Sequence, residues 1–210
     1  MFLKDIKMIK NIIFDFGDIF INLDKKATHK ELEKLGVSNI SDEIMSVVHQ
    51  YEKGLITSRD FINFFSSKFS VSSSDLVFAW NSILLDFPLT RLAFLKELSN
   101  SKKYRLFLLS NTNDLHISWV QENWGLKLYN EFKKCFEKFY LSYEINLSKP
   151  SSEIYEFVLI EHNLNAQETL FVDDLKENTA AANRLGIHTW NLIPGQEDIT
   201  QLFAKKQILF

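Results

Sequence analysis

Short apolar runs that end in chemically capable residues constrain this chain more than any other feature. Asn11-Ile-Ile-Phe-Asp-Phe16 is such a run, closing on a carboxylate before Gly17, and it reads as a buried strand leading into a loop. Tyr104 to Ser110 and Thr169 to Asp173 repeat the pattern, and Gly186 to Trp190 gives a shorter version. Helical periodicity fills the gaps, over Leu89 to Asn100, Asn113 to Trp124, Ser151 to Asn163 and Lys176 to Leu185. Strands alternating with helices predict an α/β fold, a parallel sheet sandwiched by helices with right-handed crossovers.

One stretch, Asn22 to Pro88, breaks the alternation and reads as all-helical. Lys25 to Leu35 stops at Gly36, a second helix opens at Ser41 and stops at Gly54, Thr57-Ser-Arg-Asp60 has the form of a capping box, and Asp75 to Leu84 makes a fourth helix. Phe61, Phe64, Phe65 and Phe69 recur at helical spacing and are expected in the core of this bundle. The predicted organisation is therefore an α/β core from residues 1–21 and 89–210, interrupted by a small helical bundle over 22–88.

Composition narrows the class of function. The 210 residues carry a formal net charge of -3, which argues against a general nucleic-acid binder, because neutralising phosphates needs clustered Lys and Arg. The pairs Lys25/Lys26 and Lys133/Lys134 read as solvated helix faces. No run approaches the roughly 20 apolar residues of a membrane span. Lysines 4, 7 and 10 precede an apolar stretch that is short and interrupted by Asp15 and Asp18, unlike a leader peptide. A single cysteine, Cys135, excludes an internal disulfide and a cysteine zinc site, and a cytoplasmic location is the expectation.

In open parallel sheets ligands bind beyond the carboxyl ends of the strands, and the polar residues collect there. Asp15 closes the first strand, Ser110 and Asn111 the second, and Asp173 and Asp174 the third, while Lys149 precedes a helix opening near Ser151 at the same rim. Carboxylates from two strands can hold a hard cation such as Mg²⁺, which keeps waters and phosphate oxygens as its other ligands. A carboxylate can attack phosphorus, and a hydroxyl, a backbone N–H and a lysine can bind the phosphoryl oxygens.

The chain resembles the haloacid dehalogenase (HAD) superfamily in four motifs that occur in order. Phe14-Asp-Phe-Gly-Asp-Ile19 resembles its nucleophile loop, Leu109-Ser-Asn-Thr112 its Ser/Thr motif, Ser148-Lys-Pro150 its lysine motif, and Phe171-Val-Asp-Asp-Leu-Lys-Glu-Asn178 its metal motif. The likeness runs from Asn11 to Leu192 and implies a Rossmann-like core with a C1-type helical cap. Leu109-Ser-Asn-Thr-Asn113 and Leu141-Ser-Tyr-Glu144 are similar to bacterial sugar-1-phosphate phosphatases, including alpha-glucose-1-phosphate phosphatases. The resemblance implies a Mg²⁺-dependent phosphatase of small phosphorylated metabolites, sugar phosphates foremost, working through an aspartyl phosphate. It assigns Asp15 as nucleophile and Mg²⁺ ligand, the Gly17 carbonyl and Asp174 as further ligands, and Asp173 and Asn178 as residues that orient the site. Ser110, the Asn111 backbone and Lys149 are assigned to the phosphoryl group.

Gly17 departs from the pattern, because phosphatases of this superfamily carry there a second aspartate that protonates the leaving group. Asp18 follows, with its side chain expected to point elsewhere. Two other readings stay open on that account: a catalytically weak or silent phospho-ligand binder, and a metal-independent 2-haloacid dehalogenase, against which the acidic pair Asp173/Asp174 counts. Histidines 29, 49, 116, 162 and 188 are dispersed, and His116 reads as a helix-surface residue.

Overall fold

The structure, a computed structural model, describes residues 8–37 and 39–210. Lys4 and Lys7, and with them the start of the expected first core segment, lie outside the described residues. The elements run β1 (Asn11–Phe14), α1 (Ala27–Lys34), α2 (Asp42–Glu52), α3 (Ser58–Phe69), α4 (Ser73–Asn81), α5 (Leu89–Ser101) and β2 (Arg105–Ser110). They continue with α6 (Asp114–Trp124), α7 (Leu126–Lys133), β3 (Lys138–Leu141), α8 (Ser142–Ile145), α9 (Ser152–Glu161), β4 (Thr169–Asp173), α10 (Lys176–Arg184), β5 (His188–Asn191) and α11 (Leu202–Lys205). Among the described residues no helix is long and apolar enough to cross a membrane.

All five strands are parallel, in the order β3-β2-β1-β4-β5. The chain leaves β1 to one side for β2 and later returns to its other side for β4, so β1 is the switch point beyond which a ligand crevice opens. Sequence alone anticipated β1, β2, β4 and β5. It did not foresee β3, whose Lys-Phe-Tyr-Leu is only four residues long and carries no turn signal, nor α7.

Alternation along the strands divides the core between two faces. Ile12, Phe14, Leu106, Leu108, Leu170 and Val172 point to one side, where Phe20, Phe132, Phe136 and Leu95 cover them. Ile13, Phe107, Leu109 and Phe171 point to the other, against Ile154, Tyr155 and Val158 of α9 and Ala181 and Ala182 of α10. Both faces are covered, which is why these strands read as continuous apolar runs.

Helices α1–α4 form a bundle with its own core of Leu32, Ile44, Tyr51, Phe61, Phe65, Leu76 and Trp80. Phe61 and Phe65 are fully buried there, and Phe64 and Phe69 pack against them partly buried. The capping box forms as its sequence suggests: Thr57 Oγ1 accepts the Asp60 N–H at 3.2 Å, and Asp60 accepts the Thr57 N–H at 3.2 Å.

Two linkers join bundle and sheet, and they run side by side. Asn22 N–H donates to the Asp86 carbonyl at 2.9 Å, Leu85 N–H to the Asn22 carbonyl at 3.0 Å, and Asp24 N–H to the Ile83 carbonyl at 2.9 Å, an antiparallel ribbon centred on Leu23 and Leu84. A second contact forms at the end of α2. Ser142 Oγ donates to the Glu52 carbonyl at 2.6 Å and accepts the Thr112 N–H at 3.0 Å. Gly54, at φ +66°, lies so close to the Tyr143 carbonyl oxygen that a Cβ would sit 2.0 Å from it.

Candidate active site

The loop after β1 begins with Asp15, whose N–H bonds the Val172 carbonyl at 2.9 Å and so continues the β1–β4 ladder by one residue. Asp15 is buried, and so are Ser110, Lys149, Asp173 and Asn178, which the ends of β2 and β4, the loop before α9 and the first turn of α10 bring to the same rim. Lys149 Nζ lies 2.7 Å from Asp15 Oδ1 and 2.7 Å from Asp173 Oδ2. Carboxylate oxygens of Asp15, Asp173 and Asp174 all fall within 4.8 Å of one another.

Neighbouring groups hold this cluster in place. Asp173 Oδ1 accepts the Leu175 N–H at 2.8 Å at the start of α10, and Asn178 Nδ2 reaches both Asp173 oxygens at 3.0 and 3.1 Å. Asn111 acts through its side chain: its Oδ1 accepts the Lys149 N–H at 2.9 Å and its Nδ2 donates to the Lys149 carbonyl at 2.8 Å. This reciprocal pair fixes the main chain from which Lys149 reaches inward, a task that the motif alone did not disclose. Ser110 lies buried at the end of β2.

Burial pushes the Asp15 carboxyl up to about 7, and the charges of Asp173 and Asp174 add to the rise while Lys149 opposes it. Asp174 is likewise raised by burial, with Lys25 working against the shift. For Lys149 burial works against the charge, but Asp15 and Asp173 outweigh it and hold the ammonium above its ordinary value. A buried lysine shared by two carboxylates is thus a fixed cation, and the site as a whole is short of positive charge.

Gly17 is where the structure speaks to the missing aspartate. Leu23 Cδ1 lies over it, so that a Cβ at this position would be 2.8 Å away, a contact with the mobile end of a leucine side chain that a small shift relieves. Asp18 is no replacement. It adopts φ +55°, and its carboxylate accepts the Leu23 N–H at 3.1 Å and pairs with Lys25 at 3.0 Å.

Two expectations need correction. Lys25 is not on a helix face: it lies half-exposed on the linker ahead of α1, and its Nζ bridges Asp18 and Asp174. His116 is not a surface residue either. Its ring stacks on Trp80 at 5.6 Å, its Nε2 lies 3.2 Å from the Trp80 carbonyl, and its Nδ1 lies 3.2 Å from Asn113 Nδ2. Burial depresses it to about 4, so it is neutral and ties α4 to α6. In both cases the missing signal was tertiary, since neither the ribbon nor the helix contact shows in local periodicity.

A family model described as haloacid dehalogenase-like hydrolase matches residues 9–186. The chain is 27% identical to the D-ribitol-5-phosphate phosphatase of Bacteroides thetaiotaomicron over 190 residues, 87% of this chain and 91% of that protein. A HAD family enzyme from Bacteroides thetaiotaomicron, solved as a wild-type complex with magnesium and inorganic phosphate, superposes with a TM-score of 0.81 at 37% identity, covering 93% of this chain and 99% of that one. A HAD-like family hydrolase from Porphyromonas gingivalis gives a TM-score of 0.83 at 26% identity, over 96% of this chain and 98% of its own.

Proposed function

The chain belongs to the haloacid dehalogenase-like hydrolase family, and from that premise we propose that it is a Mg²⁺-dependent phosphatase of sugar or sugar-alcohol phosphates. The observation that carries the reading is the buried set of Asp15, Lys149 and Asp173 beside Asp174, with its paired 2.7 Å contacts at the sheet's switch point. The relative named for D-ribitol 5-phosphate and the enzyme solved with magnesium and phosphate support it.

The donor set suits Mg²⁺, being made of hard carboxylate oxygens within 4.8 Å of one another. Asp15, Asp174 and the Gly17 carbonyl would hold the ion, with Asp173 and Asn178 orienting the set. When bound, the ion supplies charge neutralisation for the phosphoryl oxygens. Asp15 is the nucleophile. One of its oxygens forms a bond to phosphorus as the bond to the leaving oxygen breaks, and that oxygen departs with the electron pair and takes a proton from solvent. Water then attacks phosphorus, the bond to Asp15 breaks, and phosphate leaves with the carboxylate restored. Lys149 and Ser110, with the Asn111 N–H, hold the phosphoryl oxygens through both steps. The bundle over 22–88 serves as the cap that covers the leaving group and excludes water.

Within that class Gly17 favours sugar 1-phosphates, whose anomeric leaving oxygen needs less help than the alkoxide of a sugar-alcohol phosphate, since general acid assistance is commonly worth about 10² to 10⁴ in rate. The lack of a carboxyl at Gly17 also motivates a second reading, a phospho-ligand binder with little or no turnover. One assay separates them. Phosphate release is measured over a panel of sugar and sugar-alcohol phosphates with Mg²⁺, with a chelator, and with Asp15→Asn. Turnover that disappears under chelation and falls about 10³-fold or more in the variant is the expected result. Turnover surviving both overturns the mechanism, and ligand binding without turnover supports the binder.

A further inference from the structure

Lys149 and Lys25 both neutralise carboxylates of the site, but they are held very differently. Lys149 is buried with its ammonium locked between Asp15 and Asp173, and Asn111 pins its main chain. Lys25 has a half-exposed side chain on the linker that leads into α1, and it bridges Asp18 and Asp174. Of these two carboxylates Asp18 is the rigid one. It is buried, its Oδ1 is fixed by the Leu23 N–H at 3.1 Å, and its Oδ2 faces Lys25 at 3.0 Å.

The oxygen of Asp174 that Lys25 touches is Oδ2, on a carboxylate whose side chain is only 5% exposed. Mg²⁺ binds carboxylate oxygen at about 2.0 to 2.1 Å and demands near-ideal geometry, so an ammonium in contact with the same carboxylate competes with the ion for it. We propose that Lys25 and Mg²⁺ are alternative partners of Asp174, and that metal entry transfers Lys25 wholly to Asp18. The inference rests on the metal site of the proposed function.

Charge balance fits the exchange. With all four carboxylates of Asp15, Asp18, Asp173 and Asp174 ionised, two lysines leave a deficit equal to the charge of one Mg²⁺. Lys25 therefore has no need to leave the site when the metal arrives, only to give up one of its two contacts. The freed contact joins the loop after β4 to the linker ahead of α1, so metal loading removes that one link while the Lys25–Asp18 pair still ties the linker to the loop after β1.

The test titrates Mg²⁺ alone into the whole protein, without substrate, by calorimetry at fixed pH and ionic strength. Lys25→Met removes the competitor and is expected to bind Mg²⁺ about three- to tenfold more tightly than wild type. Lys26→Met, an exposed neighbour, is the control and keeps wild-type affinity. Lys25→Arg keeps the charge and the contact, and it binds no more tightly than wild type, which provides the answer should the Met variant fail to fold. Unchanged or weaker affinity in Lys25→Met, or tighter affinity in Lys25→Arg, overturns the exchange. Mg²⁺ binding by none of the proteins overturns it together with the metal part of the functional reading. Loss of phosphate release with Mg²⁺ affinity still sensitive to Lys25 would overturn that reading alone.

Discussion

Asp15 makes the stability of the metal-free protein depend on pH in an unusual direction. Its carboxyl is raised by burial to about 7 in the folded state, well above its value in an unfolded chain, so the fold favours the protonated form. That contribution is fully present below the unfolded value near 4 and is lost as pH rises through about 7. Glu52, which burial also raises to about 7, adds to the slope with the same sign. Thermal midpoints recorded in chelator between pH 5 and 8 should therefore fall with rising pH, and the fall should shrink in Asp15→Asn. A second expectation concerns Asn111, which the motif marked for its backbone. Asn111→Ala deletes both hydrogen bonds to the Lys149 main chain. A displacement of about 1 Å in a positioned group can cost about 10²-fold, so kcat/KM should fall by about 10- to 100-fold while the far-ultraviolet circular dichroism stays that of wild type. The sequence exposed Asp15, Asp173 and Asp174 because each ends or flanks an apolar run, and Lys149 because it stands ahead of a helix opening at the same rim. It hid Lys25 and the Asn111 side chain, whose partners lie 149 and 38 residues away.

The turn after α2 is where the bundle meets the sheet most tightly. Gly54 combines φ +66° with a 2.0 Å approach of a would-be Cβ to the Tyr143 carbonyl, so Gly54→Ala meets backbone on one side and strain on the other. A loss of about 2 to 3 kcal/mol is expected, read as a lower denaturant midpoint, and it should exceed the roughly 1 kcal/mol of removing the Thr57 cap by Thr57→Ala. Sequence reasoning saw Gly54 only as a helix stop, because the carbonyl it accommodates belongs to α8, beyond any local window. The same limit hid β3. Its four residues carry too short an alternation to register, and only pairing with β2 makes them a strand.

At the scale of the molecule, the alternation of strands and helices was legible, as was the all-helical interruption, because each rests on periodicity. What the sequence could not express is how the interruption is attached. The two linkers lie against each other as a ribbon, with Asn22 bonded to both Asp86 and Leu85. The bundle thus leaves and re-enters the sheet through adjacent doors. Seen from the sheet, residues 25–82 amount to one long excursion whose ends already touch, which a short Gly-Ser bridge between Asp24 and Ile83 would span. Such a truncated chain should still unfold cooperatively and keep its parallel-sheet circular dichroism, while losing selectivity among phosphate esters of different size. Failure to fold would show that the bundle is structural ballast for the sheet. Success would make the ribbon a natural splice point, where foreign bundles could be grafted and the chemistry at the strand ends turned to new substrates without redesigning it.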